Sequence, residues 1–460
     1  MPLLTTIGAA SAKGLGFCGA SGPAVFVIQS TYDAARSWLA NGCCHDSSGN
    51  TYTAWTASSL LVVTKHDKAG VLQSQVSLSV DFSGGESFSM KLDSSGNLYI
   101  AGTSASKPAL MKLASNFSVT FFKTYNPANP YTLSYGNFTA IDIDSSGNVY
   151  CVGRGAWQVG QNSQSHGWIY KFDSSGNTTW VREYNQGISH AYYGCALGGD
   201  GNLYVAGEIA EYSSSVYKYY LELAKMDTNG NLLTHAKFLG PAYQGFCNVE
   251  YGAIYGRQAL FNAAGTTLYI SGSQRYSNVD QVLGATYDSS LNQVSSFSRS
   301  RSNYRVSPGN QGAVLTPTSG FFRTGTFEFN NNNYTSAAIV GAGSTLRAMV
   351  NSVSTGKDTY FYGLTFNPVS QTVYQFGGIK NRSGQTNTRG VVFNFVDPDT
   401  IPTTEIDSSG ITLENTYMYG ADGSQTRTAI TGASSSMTST TANGTYSVAS
   451  TYPTLTTTIY

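Results

Sequence analysis

One phrase recurs along this chain at intervals near 50 residues, and it limits the fold more than any other feature. It reads Asp-x-x-Gly-Asn-x-Tyr and leads into small and apolar residues. Full copies are Asp46-Ser-Ser-Gly-Asn-Thr-Tyr52, Asp93-Ser-Ser-Gly-Asn-Leu-Tyr99 and Asp144-Ser-Ser-Gly-Asn-Val-Tyr150. A variant stands at Gly199-Asp-Gly-Asn-Leu-Tyr204 and a looser copy at Asn262-Ala-Ala-Gly-Thr-Thr-Leu-Tyr269. Weaker copies end at Phe322 and Tyr374, so the aromatic positions are separated by 47, 51, 54, 65, 53 and 52 residues. A period of this length, built from turn and strand chemistry, points to the blades of a β-propeller.

The residue types explain the phrase. Asp bonds the backbone two residues on and opens a turn. Gly accepts a positive φ at no steric cost. The flanking segments, such as Met90-Lys-Leu92 and Asn97-Leu-Tyr-Ile-Ala-Gly102, alternate as strands do. Each copy is therefore a hairpin with one buried face. The turn residues are Asp46, Gly49, Asp93, Gly96, Asp144, Gly147, Asp173, Gly176, Asp200 and Gly201.

A second hairpin follows each first one, in the pattern apolar-Lys-apolar-Asp-x-x-Gly. It is clear at Tyr170-Lys-Phe-Asp-Ser-Ser-Gly176 and Ala224-Lys-Met-Asp-Thr-Asn-Gly230. Two hairpins give four strands, and four strands make one blade, which needs neighbours on both faces. The expected fold is all-β, a β-propeller of four-stranded blades, with seven blades favoured and six or eight open. A late turn at Asp407-Ser-Ser-Gly410 lacks the Asn and Tyr and is not counted. Segments 24–29 and 35–39 read as a second hairpin with no first one before it, as when N-terminal strands complete the last blade. The expected division is a docking arm at 1–23, a propeller at 24–400 and a β-rich extension at 401–460.

These Asp-Ser-Ser-Gly-Asn-x-Tyr repeats resemble the bacterial and phage family of short β-propeller repeats sometimes called SBBP, well over 44–300 and weakly over 300–400. That resemblance implies the fold and no single activity. The opening Thr6-Ile-Gly-Ala-Ala-Ser-Ala-Lys-Gly-Leu-Gly-Phe17 resembles the opening segments of tailed-phage virion proteins, especially tail-associated ones. It implies docking to a particle. The start has neither the basic n-region nor the apolar h-region of a signal peptide.

Composition narrows the function. Lys and Arg number 26 against 26 Asp and Glu, a net charge of zero, which gives no electrostatic reason to bind nucleic acid. No apolar run reaches the roughly 18–20 residues of a membrane span, so membrane insertion is not expected. Charged residues are only 11% of the chain, against about 25% in ordinary domains, and none occurs after Arg427. A charge-free, Thr- and Ser-rich β-forming end either packs on the propeller or meets a neighbouring subunit. The six cysteines, 18, 43, 44, 151, 195 and 247, form no C-x-x-C pair and read as small buried thiols.

No catalytic motif appears: there is no nucleophile elbow, no P-loop and no His pair at ligand spacing. No enzyme activity, cofactor or metal is expected. The Asp-x-x-Gly turns lack the further ligands of a calcium loop. Tyrosines are the richer signal, 32 in all, and many read as lying in the loops where binding residues gather. Tyr212, Tyr217, Tyr219, Tyr220, His166, Tyr192 and Tyr193 are the candidate binding residues. The expected function is that of a phage virion structural protein, tail-associated, made in the host cytoplasm. Its expected partners are other virion proteins, further copies of itself and a host surface glycan. The alternative is a secreted bacterial propeller that binds or cleaves polysaccharide.

Overall fold

The structure is a computed structural model. It describes residues 26–30, 39–57, 59–82, 88–127, 132–159, 162–184, 189–213, 216–239, 254–261, 265–276, 279–299, 304–307, 313–316, 320–329, 333–341, 347–351, 357–381, 388–395, 404–407, 411–417, 426–429, 435–437, 439–443, 445–449 and 455–459. Side chains are described chiefly between 39 and 295, and again at 363–378 and 439–449. Every regular element among the described residues is a β-strand.

The strands fall into antiparallel sets that follow the repeat. β1 (Phe26–Ser30) precedes them. The first set is β2 (Leu39–His45), β3 (Thr51–Ala57), β4 (Leu60–His66) and β5 (Leu72–Val80). The second is β6 (Ser89–Leu92), β7 (Leu98–Ser104), β8 (Lys107–Leu113) and β9 (Val119–Pro127). The third is β10 (Thr132–Ile143), β11 (Val149–Val159), β12 (Asn162–Phe172) and β13 (Thr178–Tyr184). The fourth is β14 (Ser189–Leu197), β15 (Leu203–Ser213), β16 (Val216–Met226) and β17 (Leu232–Leu239). A single parallel pair, Ser165↔Ser189, links it to the third.

The fifth set is β18 (Ile254–Phe261), β19 (Leu268–Tyr276), β20 (Val279–Tyr287) and β21 (Gln293–Arg299). In the sixth, β22 (Tyr304–Ser307) and β23 (Ala313–Thr316) share one edge of β24 (Gly320–Phe329), followed by β25 (Asn333–Gly341) and β26 (Arg347–Asn351). The last set is β27 (Lys357–Asn367), β28 (Thr372–Asn381) and β29 (Thr388–Phe395), and β1 supplies its fourth strand beside β29. Among the described residues the N-terminal contribution to the last set is the one strand β1, paired on its two edges with β29 and with Leu455–Ile459, where a hairpin was expected. Of 35–39, only Leu39 is described, and it opens β2 of the first set.

The full copies of the repeat phrase, at Asp46, Asp93 and Asp144, sit in the turn between the first two strands of a set and share one chemistry. Asp93 Oδ1 accepts from the amides of Ser95 and Asn97, both at 2.9 Å, and the Asn97 side chain donates to Asp93 Oδ2 at 2.8 Å. Gly96 completes the turn with φ +77°. The turns at Asp46, Asp144, Asp173, Asp227 and Asp288 repeat these bonds. At the fourth set Asp200 takes fewer of them, accepting from Asn202 N and Tyr204 Oη.

In the second, third and fourth sets the Tyr of the phrase or the Lys of the second pattern reaches into the next set. Tyr99 Oη and Lys112 Nζ of the second set both donate to the Ser174 carbonyl in a turn of the third. Lys171 of the third set reaches Thr228 O in the fourth at 2.9 Å. Tyr204 and Lys225 of the fourth converge on Ser289 O in the fifth. Each ammonium also lies over its own tyrosine ring, at 4.7 Å for Lys112 and Tyr99, which adds a cation–π attraction.

Apolar cores lie between sets as well as within them. Tyr99, Leu110 and Tyr125 of the second set pack with Val149, Cys151 and Trp168 of the third. Tyr150, Ile169 and Tyr184 of the third pack with Tyr192, Val205 and Met226 of the fourth. Tyr374, Phe376 and Val392 of the last set pack with Ile28 of β1 and with Ala40, Trp55 and Val62 of the first. The described cysteines, Cys43, Cys44, Cys151 and Cys195, are buried free thiols within this packing, while Cys18 and Cys247 lie outside the described residues.

The C-terminal part adds strands to the outer edges. β30 (Thr404–Asp407) pairs with β31 (Ile411–Tyr417), which pairs on its other side with β26, while residues 408–410 of the uncounted turn lie outside the described residues. β32 (Thr426–Ala429) pairs with β17, β33 (Ser435–Met437) with β13 and β34 (Ser439–Asn443) with β9. β35 (Tyr446–Val448) pairs with β5, and β36 (Leu455–Ile459) with β1. The docking arm expected at 1–23 lies outside the described residues.

Candidate functional site

The repeat phrase fixes one end of every middle hairpin, so hairpin length sets how far the opposite end projects. In the first two sets the middle strands run seven residues each, Leu98–Ser104 and Lys107–Leu113 for example. In the third and fourth they run eleven, Val149–Val159 with Asn162–Phe172 and Leu203–Ser213 with Val216–Met226. Tyr99, Tyr150 and Tyr204 occupy the same place in their strands, so all four extra residues lie at the far end. At about 3.3 Å per residue they raise it by about 13 Å.

Just below these tall tips the third and fourth sets hold buried polar groups. Three residues before the repeat lysine the first three sets carry Val62, Ala109 and Trp168, and the fourth carries Glu222. Glu222 is fully buried on β16. His190 Nε2 on β14 and His235 Nε2 on β17 each meet one of its carboxylate oxygens, and Tyr192 Oη donates to Oε1 at 2.8 Å. The Tyr184 ring of the third set stands edge-on to His190, Tyr192 and His235. Burial alone would raise the Glu222 pKa, but the charge and hydrogen bonds of His190, followed by those of His235, hold it well below the usual carboxylate range. Gly207 makes room for this layer, since a Cβ there would stand 2.1 Å from Ala191 O and 2.8 Å from the Tyr192 ring.

The third set has a smaller counterpart, in which His166 Nδ1 lies 2.6 Å from Glu183 Oε1, both side chains buried. A half-buried chain joins the two sets nearby. Arg154 Nη1 donates to Tyr193 Oη at 3.3 Å, and Tyr193 Oη donates to Glu208 Oε1 at 2.9 Å. Lys237 pairs with Glu211 and covers the Tyr220 ring at 4.5 Å. Among the described residues no group of three or more His, Cys, Asp and Glu side chains is placed to hold a metal ion.

Comparison with protein-family models finds no match, and neither does comparison with curated proteins. Solved structures of similar shape include the Dos1 propeller, 11% identical, covering 79% of this chain and 77% of that one with a TM-score of 0.39. Polysaccharide lyase Uly1 is 7% identical, with 78% of this chain and 90% of that one covered at a TM-score of 0.40. A tail fibre of a Staphylococcus aureus phage is 10% identical, with 76% and 92% covered at a TM-score of 0.27.

The candidate tyrosines are not loop residues. Tyr212 and Tyr217 face each other in register in the β15–β16 hairpin, with Tyr219 and Tyr220 further down β16, half-buried. Tyr192 is fully buried on Glu222, and His166 is buried on Glu183, so neither offers its side chain to a ligand from solvent. Tyr193 is half-buried on β14. The structure thus brings His166, Tyr192, Tyr193 and Tyr220 to one region, where most of them build the support of the tall hairpins. The turn residues occupy turns as expected, and all five of their glycines have positive φ. Glu222, His190, His235, Arg154 and Glu208 were missed. The signal for Glu222 was present, as the one acid in a repeat position otherwise filled by Val, Ala or Trp.

Proposed function

We propose that the sets are the seven blades of one propeller ring, closed where β1 pairs with β29 and where Tyr374 and Phe376 pack on Trp55. On this reading the chain is a contact-making structural protein and not an enzyme. It presents the tall hairpins of the third and fourth blades to a partner. The virion setting, tail-associated, comes from the resemblance of residues 6–17 and the scarcity of charge. The partners are neighbouring virion subunits, further copies of this chain and a host surface glycan.

The observation that carries the contact reading is the four-residue extension of β11–β12 and β15–β16 beyond the hairpins of the first two sets. A two-stranded ribbon raised on a rigid support is a site for recognition. The acid and histidines with acid–base chemistry are sealed below it: Glu222 and His190 have no exposed surface. Quantitative mass spectrometry of purified particles, with a glycan array on the purified protein, tests the reading. The protein is expected in the particle at stoichiometric amounts. Its absence there, with cleavage of a polysaccharide in solution, would favour the secreted polysaccharide-active alternative.

A further inference from the structure

The chain after residue 404 does more than fill sheet edges. Its strands meet the sets in the order sixth, fourth, third, second, first and last. One continuous segment therefore travels around the outside, against the direction in which the sets were laid down. It attaches through its backbone: residues 440–443 and 447–448 are exposed, Val448 by 74%, while Ala449 N donates to Ser77 O at 2.8 Å. Such a segment needs β-propensity and not apolar side chains, and its Thr-rich sequence supplies that.

The last attachment bears on closure. β1 pairs with β29 through Val27↔Phe393, Ile28↔Val392 and Gln29↔Val391. On its other edge it pairs with β36 over five positions, from Phe26↔Ile459 to Ser30↔Leu455. The β1–β29 pairing joins residues more than 350 apart in sequence, and closing so long a loop carries a large entropic cost. A strand held on one edge leaves by breaking one ladder, and a strand held on both must break two.

We propose that residues 411–459 form a circumferential strap that holds the ring shut, with β36 locking β1 against β29. The strap rests on the closed-ring reading above. Its test uses the full chain. Adjacent amides in a strand point opposite ways, so of Thr456→Pro and Thr457→Pro one removes a bond to β1 and the other only an outward-facing amide. One of the two is expected to speed hydrogen exchange of amides 27–29 and denaturant-induced unfolding by about tenfold or more, and the other to have the smaller effect. If neither changes exchange or unfolding, the strap is overturned. Should a variant fail to fold, a protease site placed between Ala429 and Ser435 and cut after folding gives the same comparison. Exchange at 27–29 must then accelerate on cutting, and unchanged exchange overturns the strap. Electron-microscope top views of the same samples report the ring itself. An open ring in the uncut wild type contradicts the architecture, whereas a closed ring with unchanged kinetics contradicts the strap alone.

Discussion

The two ends of the β-sets follow different rules. At the turn end the second, third and fourth sets share one arrangement: a carboxylate gathering amides, a glycine at positive φ, and a Tyr or Lys reaching into the next set. At the opposite end the sets differ, with seven-residue hairpins in the first two and eleven-residue hairpins in the third and fourth. Between the ends, the fourth set breaks the apolar pattern with Glu222. The shared turn chemistry carries contacts between neighbouring sets, while the length of the middle hairpins varies from set to set.

Mutations can break this comparison at each level. The largest effect is expected in the buried polar layer. Glu222→Ala leaves His190 and His235 facing an empty acceptor site and should cost about 3–5 kcal/mol in urea unfolding. Removing a turn carboxylate comes next: Asp93→Ala should cost about 2 kcal/mol, because three hydrogen bonds to a charged acceptor are lost.

The turn end should also carry an acid sensitivity. Burial lowers the His66 pKa to about 4, below its unfolded value, so the folded state binds fewer protons in between. Its contribution is complete above about pH 6.5 and is lost as pH falls toward 4, with a slope of up to about 1.4 kcal/mol per pH unit. His66→Gln should flatten that part of the stability profile, measured by urea melts between pH 7.5 and 4.5. Lys112→Met keeps the packing and removes the contacts to Ser174 O and the Tyr99 ring, for about 0.5–1 kcal/mol. The smallest change in stability, within about 1 kcal/mol, is expected from deleting residues 211–213 and 216–218 at the tall tip, where the Glu211–Lys237 ion pair is partly exposed. If that deletion instead unfolds the protein, the tip is part of the structural frame and the contrast between the ends fails.

The turn end was legible in the sequence because its geometry admits few residue types. Asp, Gly and Asn are each required by a specific bond or φ, so the pattern survives in the letters. The tip end has no such requirement. Ala105 and Ser106 turn the second set's middle hairpin with positive φ and no glycine, so sequence gives no punctuation there. That is why Tyr212, Tyr217, Tyr219 and Tyr220 read as loop residues when they belong to long strands. Leu39, expected in an N-terminal hairpin, opens the first set instead, because it continues the alternating pattern. The polar layer was hidden for another reason: His190, Glu222 and His235 lie on three strands, and only their register brings them together. The absence of charge after Arg427 also has a local correlate, since the described side chains at 440–443 lie exposed on strands held by backbone pairing.

The proposed contact role of the tall hairpins is tested most directly by labelling purified phage particles with an antibody raised against residues 208–222 and imaging them in negative stain. Label on the tail of intact particles is the predicted result, with loss of label when residues 211–213 and 216–218 are deleted. Particles that contain no copy of the protein would contradict it.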